Sequence, residues 1–134
     1  VGEKLEEHYR AQNVVLKQLE EGLDGITKNQ ASTMIIAYEP VWAIGTGETA
    51  TPEEAGDMHA FIRGVIIGRY SPKTSEKMRI LYGGSVKPEN ISALMKDSEI
   101  DGALIGGASL KHDSFVEIIK ETYNLYKDKE FIQK

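Results

Sequence analysis

Three short apolar runs, each ended by a glycine-bearing loop and followed by a helical pattern, constrain the fold of this chain most. The runs are residues 33–38, 78–82 and 102–105. Unbroken apolar runs of this length suit strands that are buried in a parallel sheet. Strands that alternate with helices imply right-handed crossovers. The sequence therefore predicts an α/β fold with a parallel sheet, whose three loops meet at its carboxyl edge, where such folds carry their sites.

The helical patterns between the runs are also clear. Apolar spacing over residues 5–23 predicts one or two helices, which end at the glycines Gly22 and Gly25. Thr51 and Pro52 provide an N-cap and a first-turn proline for a helix that reaches about residue 70. Further helices are predicted over residues 88–95 and 114–126. Three strands are too few to close a barrel, so the architecture is incomplete.

Composition excludes several classes of function. A chain of 134 residues with 40% hydrophobic and 28% charged residues is typical of one soluble domain. No apolar stretch approaches the ~20 residues of a membrane span, and no signal peptide is recognisable. The absence of cysteine favours the cytoplasm. A net charge of −5 argues against nucleic-acid binding but leaves a small anionic substrate possible, because backbone N–H groups can bind phosphate.

Glu39 is the candidate catalytic residue. It follows the first strand and is flanked by Tyr38, Pro40, Val41 and Trp42. Partial desolvation by these neighbours would strengthen the carboxylate as a base. The alternative is an acid at the rim of the sheet that a nearby Lys or Arg holds.

Glycines recur after every predicted strand. Residues 43–47 contain Gly45 and Gly47, which permit a hinge and a close approach to an anion. The pairs Gly83-Gly84 and Gly106-Gly107 repeat one device on consecutive strands, and backbone donors there predict phosphate binding. The alternatives are an ordinary connecting loop and simple tight turns.

The positions of the histidines and the tryptophan give less information about function. His8, His59 and His112 have no metal-ligand spacing, so we expect no metal site. Trp42 is either a core residue or an apolar anchor that docks in one position of a mobile loop.

Four motifs together resemble the triosephosphate isomerase family. They are Gly2-Glu3-Lys4-Leu5, the run over residues 38–47, Tyr82-Gly83-Gly84-Ser85-Val86 and Gly106-Gly107-Ala108-Ser109-Leu110, in the family's order. The resemblance covers the family's C-terminal half, from just after the fifth barrel strand. It implies a partial (β/α)8 TIM barrel, in which three strand–loop–helix units hold strands six to eight and follow the helix after strand five. All of residues 1–134 would then be half of a single barrel domain.

The resemblance also assigns roles to individual residues. Glu39 would be the base, and Gly45, Ser85 and Gly107, with Gly106 beside them, would hold the substrate phosphate. Residues 40–49 would form a lid, which Tyr82 and Ser85 latch, and Glu3 would contact Trp42 when the lid is open. The lid and latch residues are Pro40, Val41, Trp42, Ala43, Ile44, Thr46, Gly47, Tyr82 and Glu3.

The chain also departs from the family pattern. The electrophilic Lys and His of the family, and its dimer-forming loop, have no counterpart here. Glu48 replaces a common Lys, and residues 6–13 diverge.

The resemblance implies interconversion of dihydroxyacetone phosphate and glyceraldehyde 3-phosphate, a step of glycolysis and gluconeogenesis, with no cofactor or metal. We expect this chain alone to be nearly inactive, and the full enzyme to be a homodimer. The expected partners are a small phosphorylated triose and the missing N-terminal half, with no nucleic acid or membrane. The alternatives are a non-catalytic phosphate-binding half-barrel that assembles with another chain, and a different phosphate-binding barrel enzyme.

Overall fold

The predicted alternation of strands and helices is present in the computed structural model, which describes residues 1–127. Residues 128–134 of the predicted domain lie outside the described part of the chain. The strands β1, β2 and β3 span Ile35–Tyr38, Arg79–Tyr82 and Gly102–Ala103. The described helices α1 to α6 span Ala11–Gly22, Lys28–Ala31, Pro52–Arg69, Pro72–Lys77, Pro88–Met95 and His112–Tyr126. Short 3₁₀ helices lie at Leu5–Arg10, Val41–Ala43 and Gly107–Leu110.

The three strands form one parallel sheet in the order β1-β2-β3. Tyr38 of β1 pairs in register with Tyr82 of β2, which pairs with Ala103 of β3. This register brings the residues that follow each strand to the same edge of the sheet. The predicted loops therefore meet there, as the parallel topology requires.

β1 and β3 are each two residues shorter than predicted, and β2 begins one residue later than predicted, at Arg79. β1 begins at Ile35, because residues 31–34 still form the turn that ends α2, with the Met34 N–H donating to Ala31 O at 3.0 Å. β3 contains two residues instead of the predicted four. Its partner β2 ends at Tyr82, so Leu104 makes one last hydrogen bond, to Tyr82 O, at 2.9 Å and Ile105 has no strand beside it.

The short helices α2 and α4 were not predicted, although their first residues carry capping signals. Thr27 accepts the Gln30 N–H at 3.3 Å, and Ser71 accepts the Thr74 N–H at 3.1 Å. Helices of four and six residues are too short to show an apolar period. No helix of the described residues 1–127 is both long and apolar enough to cross a membrane.

The core lies between the sheet and α3. Alternate strand residues point into it, and Met58, Ile62 and Ile66 of α3 cover them, whereas Phe61 and Val65 of the same helix are only half-buried. The buried strand side chains are Ile36, Tyr38, Ile80 and Tyr82.

Arg63 of α3 joins the amino-terminal ends of two strands. Its guanidinium donates to the carbonyl oxygens of Ser75 at 3.2 Å and Glu99 at 3.1 Å, and it pairs with the Asp101 carboxylate. Asp101 in turn accepts the Ile80 N–H at 2.9 Å. The network lies at the end of β2 opposite the glycine loops and supports the spacing of β2 and β3.

His59 of α3 is fully buried beneath the carboxyl edge of the sheet. Its ring lies edge-on to Tyr38, with the centroids 6.0 Å apart, and 6.4 Å from the ring of Tyr82. Burial lowers the pKa of His59 from 6.5 to about 4.

Because the unfolded chain binds this proton first, we expect the free energy of unfolding to fall as pH decreases from about 6.5 to about 4. Above this pH range His59 does not change the free energy of unfolding. Below it, the free energy of unfolding is lower by up to about 3 kcal/mol, since one pKa unit corresponds to about 1.4 kcal/mol. Urea denaturation at a series of pH values measures this. The slope of the unfolding free energy against pH should be smaller in His59→Leu than in the parent and unchanged in His112→Gln, which changes an exposed histidine. An equal slope in all three proteins would contradict the assignment.

Candidate active site

Residues from all three glycine loops line one cavity of about 650 Å³ at the carboxyl edge of the sheet. Among the predicted site residues, the cavity brings together the proposed base, four phosphate-loop residues and two residues of the lid tip. These are Glu39, Gly45, Ser85, Gly106, Gly107, Ile44 and Gly47. The other predicted lid and latch residues do not line this cavity.

Glu39 is half-buried at the end of β1. Its N–H donates to Val1 O at 2.7 Å, which fixes the backbone of the residue. A methyl group on Gly83 would lie 2.5 Å from Glu39 Cγ. Gly83 therefore provides the space that the Glu39 side chain occupies.

The first residues of the chain run alongside Glu39. A methyl group on Gly2 would lie 1.8 Å from the carbonyl oxygen of Glu39, so only glycine permits this approach. The Gln18 amide brackets Gly2, accepting its N–H at 2.8 Å and donating to its carbonyl at 3.0 Å. The Val41 N–H donates to Glu3 O at 2.8 Å. Helix α1 thus helps to place the backbone on both sides of Glu39.

The Glu3 side chain holds the first turn of the candidate lid. Glu3 is fully buried and accepts the Trp42 indole N–H at 3.1 Å. The Tyr38 hydroxyl lies 3.1 Å from both Glu3 oxygens. Burial, together with the Glu3 charge, raises the pKa of Tyr38 well above its usual value, so the phenol stays a donor. The contact between Glu3 and Trp42 that the resemblance implies is present.

The lid tip contains the left-handed backbone that its glycines permit. Gly45 and Gly47 have φ of 68° and 81°, values that other residues rarely adopt. Between them, the Thr46 hydroxyl donates to Trp42 O and accepts the Glu48 N–H, both at 3.1 Å. The tip is therefore held mainly by its own short hydrogen bonds, while Ile44 remains exposed.

Two tethers join the lid to the end of β2 and to the loop that follows it. The hydroxyl of the buried Tyr82 accepts the Ala50 N–H and lies within hydrogen-bond distance of Thr49 Oγ1, each at 2.9 Å. The Ser85 hydroxyl donates to Ala43 O. Tyr82 thus contacts the exit of the candidate lid and Ser85 contacts its 3₁₀ turn, and a latch role for the two residues stays a prediction.

The two glycine pairs differ in their surroundings. Gly84 is buried against Tyr82 and Pro40, whereas a methyl group on Gly106 or Gly107 would have no heavy atom within 4 Å. The pair Gly83-Gly84 therefore leaves space for neighbouring side chains. The pair Gly106-Gly107 exposes its backbone at the cavity, where the 3₁₀ helix Gly107–Leu110 begins.

Sequence reasoning missed two lysines. Lys87 and Lys111 line the same cavity and add positive charge beside the glycine loops. Lys87 Nζ also lies 3.7 Å from the position that a Gly47 Cβ would take, so it reaches the lid. A signal was available, because each glycine pair is followed by a lysine four positions after one of its glycines. Neither spacing alone shows which way the side chain points.

No histidine of residues 1–127 lines the cavity. His59 is buried in the core, His112 is exposed on α6, and His8 contacts the outer side of Trp42. Within the described part of the chain, no three acidic, histidine or cysteine side chains are grouped as metal ligands would be. The chain thus presents a carboxylate, backbone donors and two ammonium groups around one opening.

Known proteins carry the same segments. The family model described as triosephosphate isomerase matches residues 1–122. The chain belongs to the triosephosphate isomerase family. It is 53% identical over 122 residues to triosephosphate isomerase of Geotalea uraniireducens, and 52% identical over 122 residues to that of Citrifermentans bemidjiense. These alignments cover 90% of this chain and 49% of each relative.

The relative from Endomicrobium trichonymphae shows the same proportions, with 53% identity over 90% of this chain and 48% of the relative. The chain thus spans about half the length of the curated triosephosphate isomerases it matches. The predicted family and its α/β fold are confirmed. The numbering of the strands within a barrel and the roles of the site residues stay predictions.

Proposed function

We propose that this chain contributes the base, the lid and the phosphate-binding loops to an isomerase that interconverts dihydroxyacetone phosphate and glyceraldehyde 3-phosphate. The observation that carries the proposal is the single cavity in which Glu39 faces the exposed backbone of Gly106 and Gly107. A triose phosphate has a matching layout, with an acidic carbon proton near one end and a dianion at the other.

In the proposed reaction, Glu39 removes the proton from the carbon beside the carbonyl and returns it to the former carbonyl carbon, while the hydroxyl proton passes from one oxygen of the enediolate to the other. Its position supports this role, because Glu39 lines the cavity beside the glycine loops and its backbone is held by the hydrogen bond to Val1 O. Gly83 leaves room for the Glu39 side chain to lie against the β2 loop. The reaction transfers protons only, so we propose neither cofactor nor metal.

The phosphate would bind to the backbone N–H groups of Gly45, Ser85 and Gly107, with Gly106 beside them. Exposed donors in glycine loops suit charge-assisted hydrogen bonds. The lid, residues 40–49, would close over the cavity and exclude water. This would limit the loss of phosphate from the enediolate, which occurs when the enediolate is exposed to water. The hydrogen bonds within the lid tip support movement as a unit, whereas those to Tyr82 and Ser85 would hold the lid in one position.

Lys87→Met is expected to weaken binding of inorganic phosphate by about two- to five-fold, the usual worth of one exposed charge pair. The loss should shrink as salt is added, because salt screens this attraction in the parent protein. Isothermal titration at two salt concentrations measures both effects. Lys73→Met, which removes a charge from α4 outside the cavity, is the matched control. Equal affinities of the parent and Lys87→Met would contradict a role for this lysine.

Catalysis would also need groups that the described residues do not bring to the cavity. No histidine lines it, and its two lysines come from the β2 and β3 loops instead of from a first strand. Loss of one oxyanion donor typically costs about 10²–10³ in rate. We therefore propose that the chain alone is nearly inactive.

The missing groups would come from the N-terminal half of the barrel. We propose that β1, β2 and β3 are strands six to eight of a (β/α)8 barrel, and that residues 1–134 form half of one domain. A groove of about 1080 Å³ between β3 and α6 supports this, since it exposes Phe115, Ile119 and Tyr123. Such an apolar surface needs a cover, and the relatives are about twice as long as the matched region. The complete enzyme is proposed to be a cytoplasmic homodimer.

An isomerase assay on the purified chain, with and without a supplied N-terminal half, tests the proposal. We expect turnover only in the mixture, and turnover by the chain alone at the rate of a complete enzyme would refute the proposed division of roles.

The second candidate, a phosphate-binding half-barrel without catalysis, is favoured by the same exposed groove. It predicts phosphate binding by an assembled complex that has no turnover. Phosphate titration of the same mixture therefore separates the two candidates.

A further inference from the structure

His8 contacts the outer side of the only tryptophan in the chain. The two rings are 5.7 Å apart between centroids and nearly perpendicular, with an interplanar angle of 89°. This is a favoured edge-to-face arrangement of aromatic rings. His8 comes from the 3₁₀ helix Leu5–Arg10, whereas Trp42 lies in the first turn of the lid. A segment outside the cavity therefore touches the lid directly.

The same histidine faces the carboxylate that holds Trp42. His8 Nδ1 lies 3.6 Å from Glu3 Oε1, the oxygen that accepts the Trp42 indole N–H. At 3.6 Å a neutral imidazole makes no hydrogen bond with that oxygen. A protonated imidazole would be attracted to the buried carboxylate. His8, Glu3 and Trp42 therefore form a contact triangle at the start of the lid.

We propose that His8 is a positioning residue for the lid. Its ring supports Trp42 from outside, and its protonation draws it towards Glu3 and tightens that support. The inference rests on the proposed function only in taking residues 40–49 as the lid.

Other charged groups face His8 from the elements around it. A small opening of about 390 Å³ is lined by His8, Trp42, Glu48 at the lid exit and Glu54 of α3. The Glu54 carboxylate also caps α3, because it accepts the Thr51 N–H at 2.9 Å. On its own helix, Arg10 pairs with Glu7 at 3.6 Å. Glu3, Glu48 and Glu54 are the acidic groups around this contact.

The single tryptophan makes the contact measurable without substrate. A protonated imidazole in contact with an indole quenches its emission. The emission of the ligand-free chain is therefore expected to fall as pH decreases from about 8 to about 5, the range in which histidine gains its charge. In His8→Gln the fall should be absent, and acrylamide should quench Trp42 more efficiently, because the ring that covers one side of the indole is lost.

Two further variants separate the components of the proposal. His8→Phe keeps an aromatic ring without a charge, so it should restore protection from acrylamide but not the pH response. His112→Gln removes an exposed histidine that pairs with Asp113 on α6, and it should behave as the parent in both measurements. Circular dichroism checks that each variant retains its fold.

The proposal is overturned if emission of the parent does not change with pH, or if His8→Gln retains the parent's response and protection. Neither readout depends on turnover. A chain that shows the His8-dependent emission but gives no isomerase activity with the N-terminal half would refute the proposed function alone. The reverse result would refute the role of His8 alone.

Discussion

Glu39→Gln is expected to lower the kcat of the isomerase reconstituted from this chain and the N-terminal half by about 10²–10⁴, the usual contribution of one positioned base. The amide has nearly the same shape as the carboxylate but cannot accept the substrate proton. The Glu39 backbone is held by its hydrogen bond to Val1 O, which the substitution leaves intact. Substrate binding should therefore change much less than kcat, and initial rates over a range of substrate concentrations separate the two.

Glu76→Gln is the matched control, since Glu76 is an exposed carboxylate on α4, away from the Glu39 cavity. Its kcat should equal that of the parent. If Glu39→Gln turned over within a few-fold of the parent, the base would be another residue and the assignment of Glu39 would be wrong.

The second large effect is expected from Gly84→Ala. The added methyl group would lie 2.4 Å from the hydroxyl oxygen of Tyr82, 2.8 Å from its Cζ and 3.1 Å from Pro40 Cγ. Neither neighbour yields easily, because Tyr82 is fully buried and Pro40 is a rigid ring at the start of the lid. Overpacking of this kind costs about 1–3 kcal/mol. The shift of the ring should also weaken its hydrogen bond with the Ala50 N–H.

Urea denaturation of the chain measures the loss of stability, and Gly64→Ala provides the comparison. Gly64 lies within α3, and a methyl group there would meet no heavy atom within 4 Å. Alanine is preferred to glycine inside a helix, so this variant should be more stable by about 0.5–1 kcal/mol. Equal effects of the two substitutions would contradict the close packing at Gly84.

Much of the fold could be predicted because its signals are local. Thr51 and Pro52 begin α3 where their capping chemistry places them, and the apolar runs become parallel strands. The length of β3 could not be read in this way. Its end depends on where β2 stops pairing, which is a property of a neighbour that is distant in sequence.

The candidate site divides in the same manner. Glu39, Gly45, Gly106 and Gly107 were identified from residue type and position after a strand, and one cavity contains them all. Lys87 and Lys111 were missed, because a lysine after a glycine loop can extend in many directions. His8 was considered only as a metal ligand, and its contact with Trp42 was not foreseen.

The sequence by itself determined the order of strands and helices, the family, and the residue types available for a base and a phosphate site. Periodicity, capping residues and glycine loops act over a few positions, so they can be read along the chain. The tertiary structure alone decided which distant side chains meet: Glu39 against Gly83, Tyr82 with Ala50, Lys87 beside the lid and His8 on Trp42. Those contacts depend on strand register and helix packing, which are set by residues far apart in the sequence.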